Sequence, residues 1–397
     1  MRCVLFTGKG GVGKTTVAAA TATLAAQRGH RTLVVSTDAA HSLADAIDHP
    51  VGSEPVEIDT RLWAQQVDTQ RAFEASWSQV RRYLVGVLDA AGVDPIEAEE
   101  LTVLPGADEV LALLTVHDQI VSGSYDLVVV DCAPSAETLR LLALPEALTW
   151  YLRRVFPVRR RVARTLRPVL GHAARASMSG ESLFDAVERL HAALSAVRVL
   201  LTDPETTSVR IVLTPEAVVV AEARRMLTSL SLHGYRADAV VANRLFPDSG
   251  ADAWRAGWVA AQREQLDEVD SSFGALPILR AAYRAGEPVG LEELAAFGAA
   301  AYGELDPAAR LGTGGIDPMH VERTAEGFAL SLGLPFAERS EVDLARRGDE
   351  LVVTVGSHRR LLALPSALRR CDVTGASMKG DRLVVSFTPD PDQWVRA

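Results

Sequence analysis

A chain of 397 residues has room for two domains. Its 48% hydrophobic and 23% charged content excludes a disordered polypeptide, and a formal charge of -10 argues against general nucleic-acid affinity, which rests on neutralising phosphates. Cys3, Cys132 and Cys371 are scattered with no CxxC pair, so neither a disulfide framework nor a cysteine zinc site is expected.

In chain order, Val4-Leu5-Phe6-Thr7 reads as a short apolar strand and Thr16 to Gln27 as an Ala-rich helix. Between them lies Gly8-Lys9-Gly10-Gly11-Val12-Gly13-Lys14-Thr15-Thr16, a glycine-rich phosphate loop in the strand-to-helix context that such a loop requires. Its backbone N–H groups and the helix dipole suit phosphate oxygens, with Gly10, Gly11 and Gly13 expected to be the positions a side chain would spoil. Lys14 is expected at the β- and γ-phosphates of ATP, and Thr15 offers a hydroxyl to Mg2+. Only three residues are lysine against 38 arginines, and Lys9 and Lys14 are two of the three, which marks the places where a compact point charge is needed.

A second strand, Thr32 to Ser36, ends in Thr37-Asp38, and a third, Tyr125 to Val130, ends in Asp131-Cys132-Ala133-Pro134. Arg210 to Thr214 and Ala239 to Asn243 are two more. Apolar runs alternating with helical stretches predict an α/β doubly wound, mostly parallel sheet whose ligand lies at the carboxyl ends of the strands. Asp131 then stands where a carboxylate holds Mg2+ directly or through water, and Asp38 where one orients the water attacking the γ-phosphate. Phosphoryl transfer asks for this positioning and charge neutralisation more than for covalent chemistry.

Two helical insertions are expected, over about 62–122 and 145–203. The first carries Leu101, Leu104, Val110, Leu111, Leu114 and Ile120 at near-helical spacing, a core stripe or the lining of a client groove. The second carries an arginine cluster from Arg153 to Arg175 interrupted by Pro157 and Pro168, a solvated helix face or an anionic docking stretch. Residues 1–303 thus form the P-loop domain and 304–326 a Gly/Pro-containing linker. From 327 to 390, short alternating segments (Phe328 to Leu332, Glu341 to Leu344, Glu350 to Val355, Arg359 to Leu364, Arg382 to Phe387) predict a small all-β sandwich without a catalytic constellation. The first strand starts at once, leaving no space for a signal peptide, and no run of about 18 uncharged apolar residues occurs, so the expected location is cytoplasmic with membrane contact at most peripheral.

A lysine one residue after the first glycine is the deviant form of the loop, which resembles that of nitrogenase iron proteins, Min and Par ATPases, and the arsenical-pump and tail-anchored-protein-targeting ATPases. Together with Ser36-Thr37-Asp38-Ala39-Ala40-His41-Ser42-Leu43-Ala44-Asp45 and Asp131 to Leu142, it resembles the P-loop, switch I and switch II of the ArsA/Get3 family from Met1 to about Ala301. The resemblance implies a homodimer with ATP at the interface, Lys9 contacting the partner's nucleotide, Asp38 activating water, Asp131 on the magnesium side, and a hydrophobic-helix or membrane-protein client. Asn243 resembles the family's adenine-reading asparagine, and Leu276-Pro277-Ile278-Leu279 with Glu287 to Leu291 its adenine loop and closing helix; Pro277 and Ile278 are the contacts this implies. Ser135-Ala136-Glu137 replaces the usual Thr-Gly-His, the zinc CxxC pair is missing, and no cysteine set suits arsenite or antimonite. The carboxyl-terminal region resembles the HSP20/α-crystallin-like sandwich of some relatives. The alternatives are a Min/Par-like positioning ATPase and a nucleotide-binding regulator with little turnover.

Overall fold

The computed structural model describes residues 1–38, 42–67, 107–132, 192–248, 250, 252–312 and 317–391. The chain divides into two compact units, Met1–Val67 with Gln119–Leu139 and Leu201–Ala397, and Asp68–Asp118 with Arg140–Leu200.

The first unit is built on continuous apolar runs. β1 (Arg2–Thr7), β2 (Thr32–Ser36), β5 (Leu127–Asp131), β6 (Thr207–Leu213) and β7 (Ala237–Leu245) are buried along most of their length, as strands covered on both faces must be. With β3 (Val56–Asp59), β4 (Leu62–Gln66) and β8 (Ile278–Ala282) they form an eight-stranded sheet in the order β3-β4-β2-β5-β1-β6-β7-β8. Every pairing is parallel except β3 with β4. Residues 62–66, expected in a helical insertion, are therefore a sheet strand level with β2.

Helix α1 (Lys14–Gln27) is buried nearly all round, which explains its alanines: there is room only for small side chains. It packs against α6 (Leu291–Tyr302) so closely that a Cβ on Gly298 would come 2.8 Å from Ala20 O. Between these lie α2 (Ser42–Ile47), α3 (Ala107–Val121), α4 (Ala217–His233) and α5 (Ala253–Phe273). α3 begins in the second unit, whose other described residues, 192–200, are also helical. Of the apolar stripe, Ile120 is buried and Leu114 half-buried; Leu101 and Leu104 lie outside the described residues, as do the side chains of Val110 and Leu111. The arginine cluster from Arg153 to Arg175 and the Ser135-Ala136-Glu137 segment also fall outside them.

The stretch read as a linker is tied down. Arg210, fully buried on β6, donates to Pro307 O and Ala309 O, and β9 (Met319–Thr324) is already a strand. One sheet of the carboxyl-terminal sandwich orders β14 (Cys371–Lys379), β15 (Arg382–Pro389), β10 (Gly327–Gly333) and β9. The other joins β11 (Val342–Arg347), β12 (Glu350–Val355) and β13 (His358–Ala363). Leu330, Leu332, Leu351, Val353, Leu362, Val385 and Phe387 fill the space between them, and Leu232 of α4 enters the same core. Around it Ser231 Oγ donates to Gly333 O at 2.7 Å, Thr228 to Pro335 O, and the buried Arg360 to Leu232 O at the carboxyl end of α4, where a cation also meets the helix dipole.

Candidate nucleotide site

The glycine loop leaves β1 at Thr7 and enters α1 at Lys14, with Gly13 as N-cap and no side-chain cap on the helix. The first-turn N–H groups thus stay free to meet an anion. Two glycines are demanded by packing within the chain itself. A Cβ on Gly8 would sit 2.1 Å from Val212 O, and one on Gly13, at φ 90°, would sit 2.5 Å from Asn243 Nδ2. A Cβ on Gly10 or Gly11 would have no neighbour within 4 Å, so what favours glycine there is the left-handed φ of 84° at Gly11 rather than packing within the chain. Lys14 is 6% exposed and its ammonium donates to Lys9 O at 3.3 Å.

Behind the loop sits Asp131, the last residue of β5 and fully buried. Its Oδ2 accepts from Thr15 Oγ1 at 2.8 Å and Ser36 Oγ at 3.3 Å, and its backbone oxygen from Thr37 N at 2.9 Å. Oδ1 is buried without a hydrogen-bond partner among the described residues. Burial pushes the Asp131 carboxyl up to about 6 and the nearby Asp38 charge adds to the rise, while the Thr15 hydrogen bond and the Lys14 charge oppose it. An orphaned carboxylate oxygen beside a hydroxyl is a fitting donor set for a hard divalent cation such as Mg2+, which takes one or two protein oxygens and the rest from phosphates and water. Asp38 follows β2, its N–H donating to Ser36 Oγ at 3.3 Å and its carbonyl accepting from Gln66 Nε2 at 2.7 Å.

A cavity of about 290 Å3 opens beside the loop, lined by Gly13, Thr16, Asn243, Arg244, Phe297 and the segment from Ala282 to Pro288. Asn243 reaches it, yet its amide is engaged: Nδ2 donates to Val12 O at 2.8 Å and Oδ1 accepts from Arg244 N at 2.8 Å. It buttresses the loop as well as lining the cavity. Pro277 and Ile278 are not brought together with it. Ile278 starts β8 level with Val240, three residues before Asn243, while Pro277 accepts from Val240 N, so both lie towards the opposite end of the strand from the cavity. The cavity wall comes instead from the carboxyl end of β8, where Tyr283 stacks at 5.4 Å on Phe246. Sequence reasoning missed Tyr283, Gln66 and the bridging role of Ser36; only Ser36 carried a signal, inside the quoted switch motif.

All three cysteines are buried. Burial raises the thiol of Cys3 to about 12 and raises those of Cys132 and Cys371 as well, which keeps them as thiols and poor soft-metal ligands. No helix among the described residues is long and apolar enough to cross a membrane.

A parallel sheet with a glycine loop between β1 and α1, and a buried carboxylate hydrogen-bonded to the loop threonine at the end of a neighbouring strand, defines a P-loop nucleotide-binding protein. The family model described as anion-transporting ATPase matches residues 1–303, and that described as an HSP20-like domain found in ArsA matches residues 325–387. An uncharacterised protein of Streptomyces coelicolor is 39% identical over the full length of both chains. A protein of Chlorobaculum tepidum named as an arsenical pump-driving ATPase is 34% identical over 98% of this chain and 96% of its own. The get3 ATPase of Neurospora crassa is 29% identical over 75% of this chain and 89% of its own. The chain belongs to the ArsA/Get3 family of ATPases and carries that family's HSP20-like domain at its carboxyl end.

Proposed function

We propose that the chain hydrolyses ATP with Mg2+ as a nucleotide-gated homodimer. The observation that carries the reading is the Thr15–Asp131–Ser36 cluster, in which the buried carboxylate has one oxygen without a partner among the described residues, set directly behind a glycine loop and a buried lysine. In this reading the loop N–H groups and Lys14 bind the β- and γ-phosphates, while Thr15 and Asp131 would hold the metal. Mg2+ held there would supply charge neutralisation of the phosphates. Asp38, fixed at the end of the adjacent strand, orients the attacking water, and the base occupies the cavity between Arg244, Tyr283 and Pro288. Lys9 reaches the nucleotide of the partner subunit.

Closure with ATP and opening after hydrolysis would then expose or hide a surface for a hydrophobic helix or membrane-protein client; this part is supported by family membership alone. A pump driven by thiolate capture of metalloid is disfavoured by three separate, buried thiols. The test is light scattering beside phosphate release for wild type and Lys9→Ala with ATP and Mg2+. Loss of both dimer closure and turnover, with nucleotide binding retained, is the expected result. Wild-type behaviour of Lys9→Ala would refute the shared site, and unchanged turnover in Asp38→Asn would favour a regulator with little catalytic need of that carboxylate.

A further inference from the structure

The three strands β4, β2 and β5 lie side by side, and their ends bring Gln66, Ser36 and Asp131 level with one another. Asp38 lies two residues past that line, where the strand ladder no longer dictates its backbone. Side chains hold it instead. Ser36 Oγ accepts from its N–H at 3.3 Å, and Gln66 Nε2 donates to its carbonyl at 2.7 Å. Ser36 in turn donates to Asp131, so the two carboxylate-bearing turns are linked through one hydroxyl.

Gln66 is 3% exposed, and its own backbone N–H is bonded to Gly52 O at 2.9 Å. A carbonyl can only accept, so the nitrogen end of the amide must face Asp38 and the oxygen end must face elsewhere. That Oε1 is buried with no hydrogen-bond partner among the described residues. An orphaned buried acceptor costs stability, and a leucine or methionine would fill the same space without that cost. What glutamine alone supplies at this position is the donor to Asp38.

We propose that Gln66 is a positioning residue for ATP hydrolysis, fixing the Asp38 backbone from the β4 side while Ser36 fixes it from β2, so that the Asp38 carboxylate is held in one direction. The proposal rests on the reading of Asp38 as the water-orienting group. Gln66 itself touches neither phosphate nor water; it acts through Asp38.

The test uses the full chain with ATP and Mg2+, measuring phosphate release against ATP concentration, direct nucleotide affinity and thermal unfolding. Gln66→Leu removes the donor, and since misplacement of a reacting group by about 1 Å costs on the order of 100-fold, kcat is expected to fall by about 10- to 100-fold with KM and affinity unchanged. Gln66→Glu keeps the shape and serves if the leucine variant fails to fold. A buried carboxylate cannot donate, but its protonated form can, so the activity of this variant relative to wild type rises as pH is lowered from about 8 to about 6. Wild-type kcat in these variants at every pH overturns the proposal. So does a rate loss matched by equal losses of affinity and thermal stability, which would make Gln66 a packing residue. Asp38→Asn, run in parallel, separates the two claims: full turnover there refutes the role of Asp38 whatever the Gln66 variants do.

Discussion

Replacing Asp131 by asparagine should stabilise the nucleotide-free protein while destroying its use of Mg2+. The carboxyl rises from an ordinary 3.8 to about 6 in the fold, because burial outweighs Thr15, Ser36 and Lys14. The folded state therefore binds this proton more tightly than the unfolded chain does. Below pH 3.8 both states are protonated and nothing is lost; the penalty grows between 3.8 and about 6 and is complete above. At 1.36 kcal/mol per pKa unit the penalty reaches at most about 3 kcal/mol. Asparagine removes it, keeps an oxygen for Thr15 and Ser36, and puts an N–H2 where Oδ1 has no partner, which returns about 1 kcal/mol. The net expectation is about 1–2 kcal/mol of added stability at pH 8, shrinking towards pH 4. Denaturant midpoints of both proteins, free of nucleotide and metal, at several pH values would measure it. ATP with Mg2+ should invert the order, since ligand binding stabilises only the protein that can hold it. A variant less stable than wild type at pH 8, or a difference that ignores pH, would refute the reasoning.

Gly13→Ala forces a Cβ into a left-handed residue and against Asn243 Nδ2, so nucleotide binding should fail with a stability loss of about 1–3 kcal/mol, whereas Gly10→Ala should leave the denaturation midpoint of the free protein unchanged. Arg360→Met strips the donor from the buried Leu232 carbonyl; a loss of about 1–3 kcal/mol is expected by denaturation, with nucleotide affinity intact. Tyr283→Ala removes the aromatic wall of the cavity, and if the base stacks there affinity should drop by about 1–3 kcal/mol in a titration with ATP.

The strands that the sequence announces are those buried on both faces. β1, β2, β5, β6 and β7 are rich in Val, Leu, Ile and Ala, and polar residues buried along them, such as Arg210 and Asp238, are bonded to one another; the apolar runs locate Asp38, Asp131 and Asn243 at or near their ends. β4 escaped notice because it ends in two buried glutamines, a pattern that reads as helix or loop until the neighbours that receive their amides are seen. β9 and β14 are edge strands with mostly exposed, polar residues, so no alternation survives to betray them. The cavity beside the loop is walled by the far end of β8 rather than by Pro277 because the sequence shows where β8 is flanked by turns but not which of its ends lies beside the loop; parallel pairing with β7 decides that.

Two groups of buried polar side chains on the sheet are treated in opposite ways. In the middle of β6, Arg210 is fully buried, and all of its nitrogens are bonded, to Asp238, the Tyr302 hydroxyl, Pro307 O and Ala309 O. The same Tyr302 hydroxyl meets Thr21 on α1 at 2.8 Å, so a satisfied network fastens the chain leading to the sandwich onto the helix that begins at the glycine loop. At the carboxyl ends, Asp131 Oδ1, Gln66 Oε1 and Thr7 Oγ1 are buried with nothing bonded to them among the described residues. A fold able to satisfy five donors of one arginine is not short of means to satisfy a carboxylate. Orphaned atoms also occur away from the loop, at Arg2 Nε and Ser229 Oγ among others, and that of Gln66 follows from the turn of its amide towards Asp38; Asp131 Oδ1 differs in lying directly behind the glycine loop, where a bound ligand would bring the missing partner.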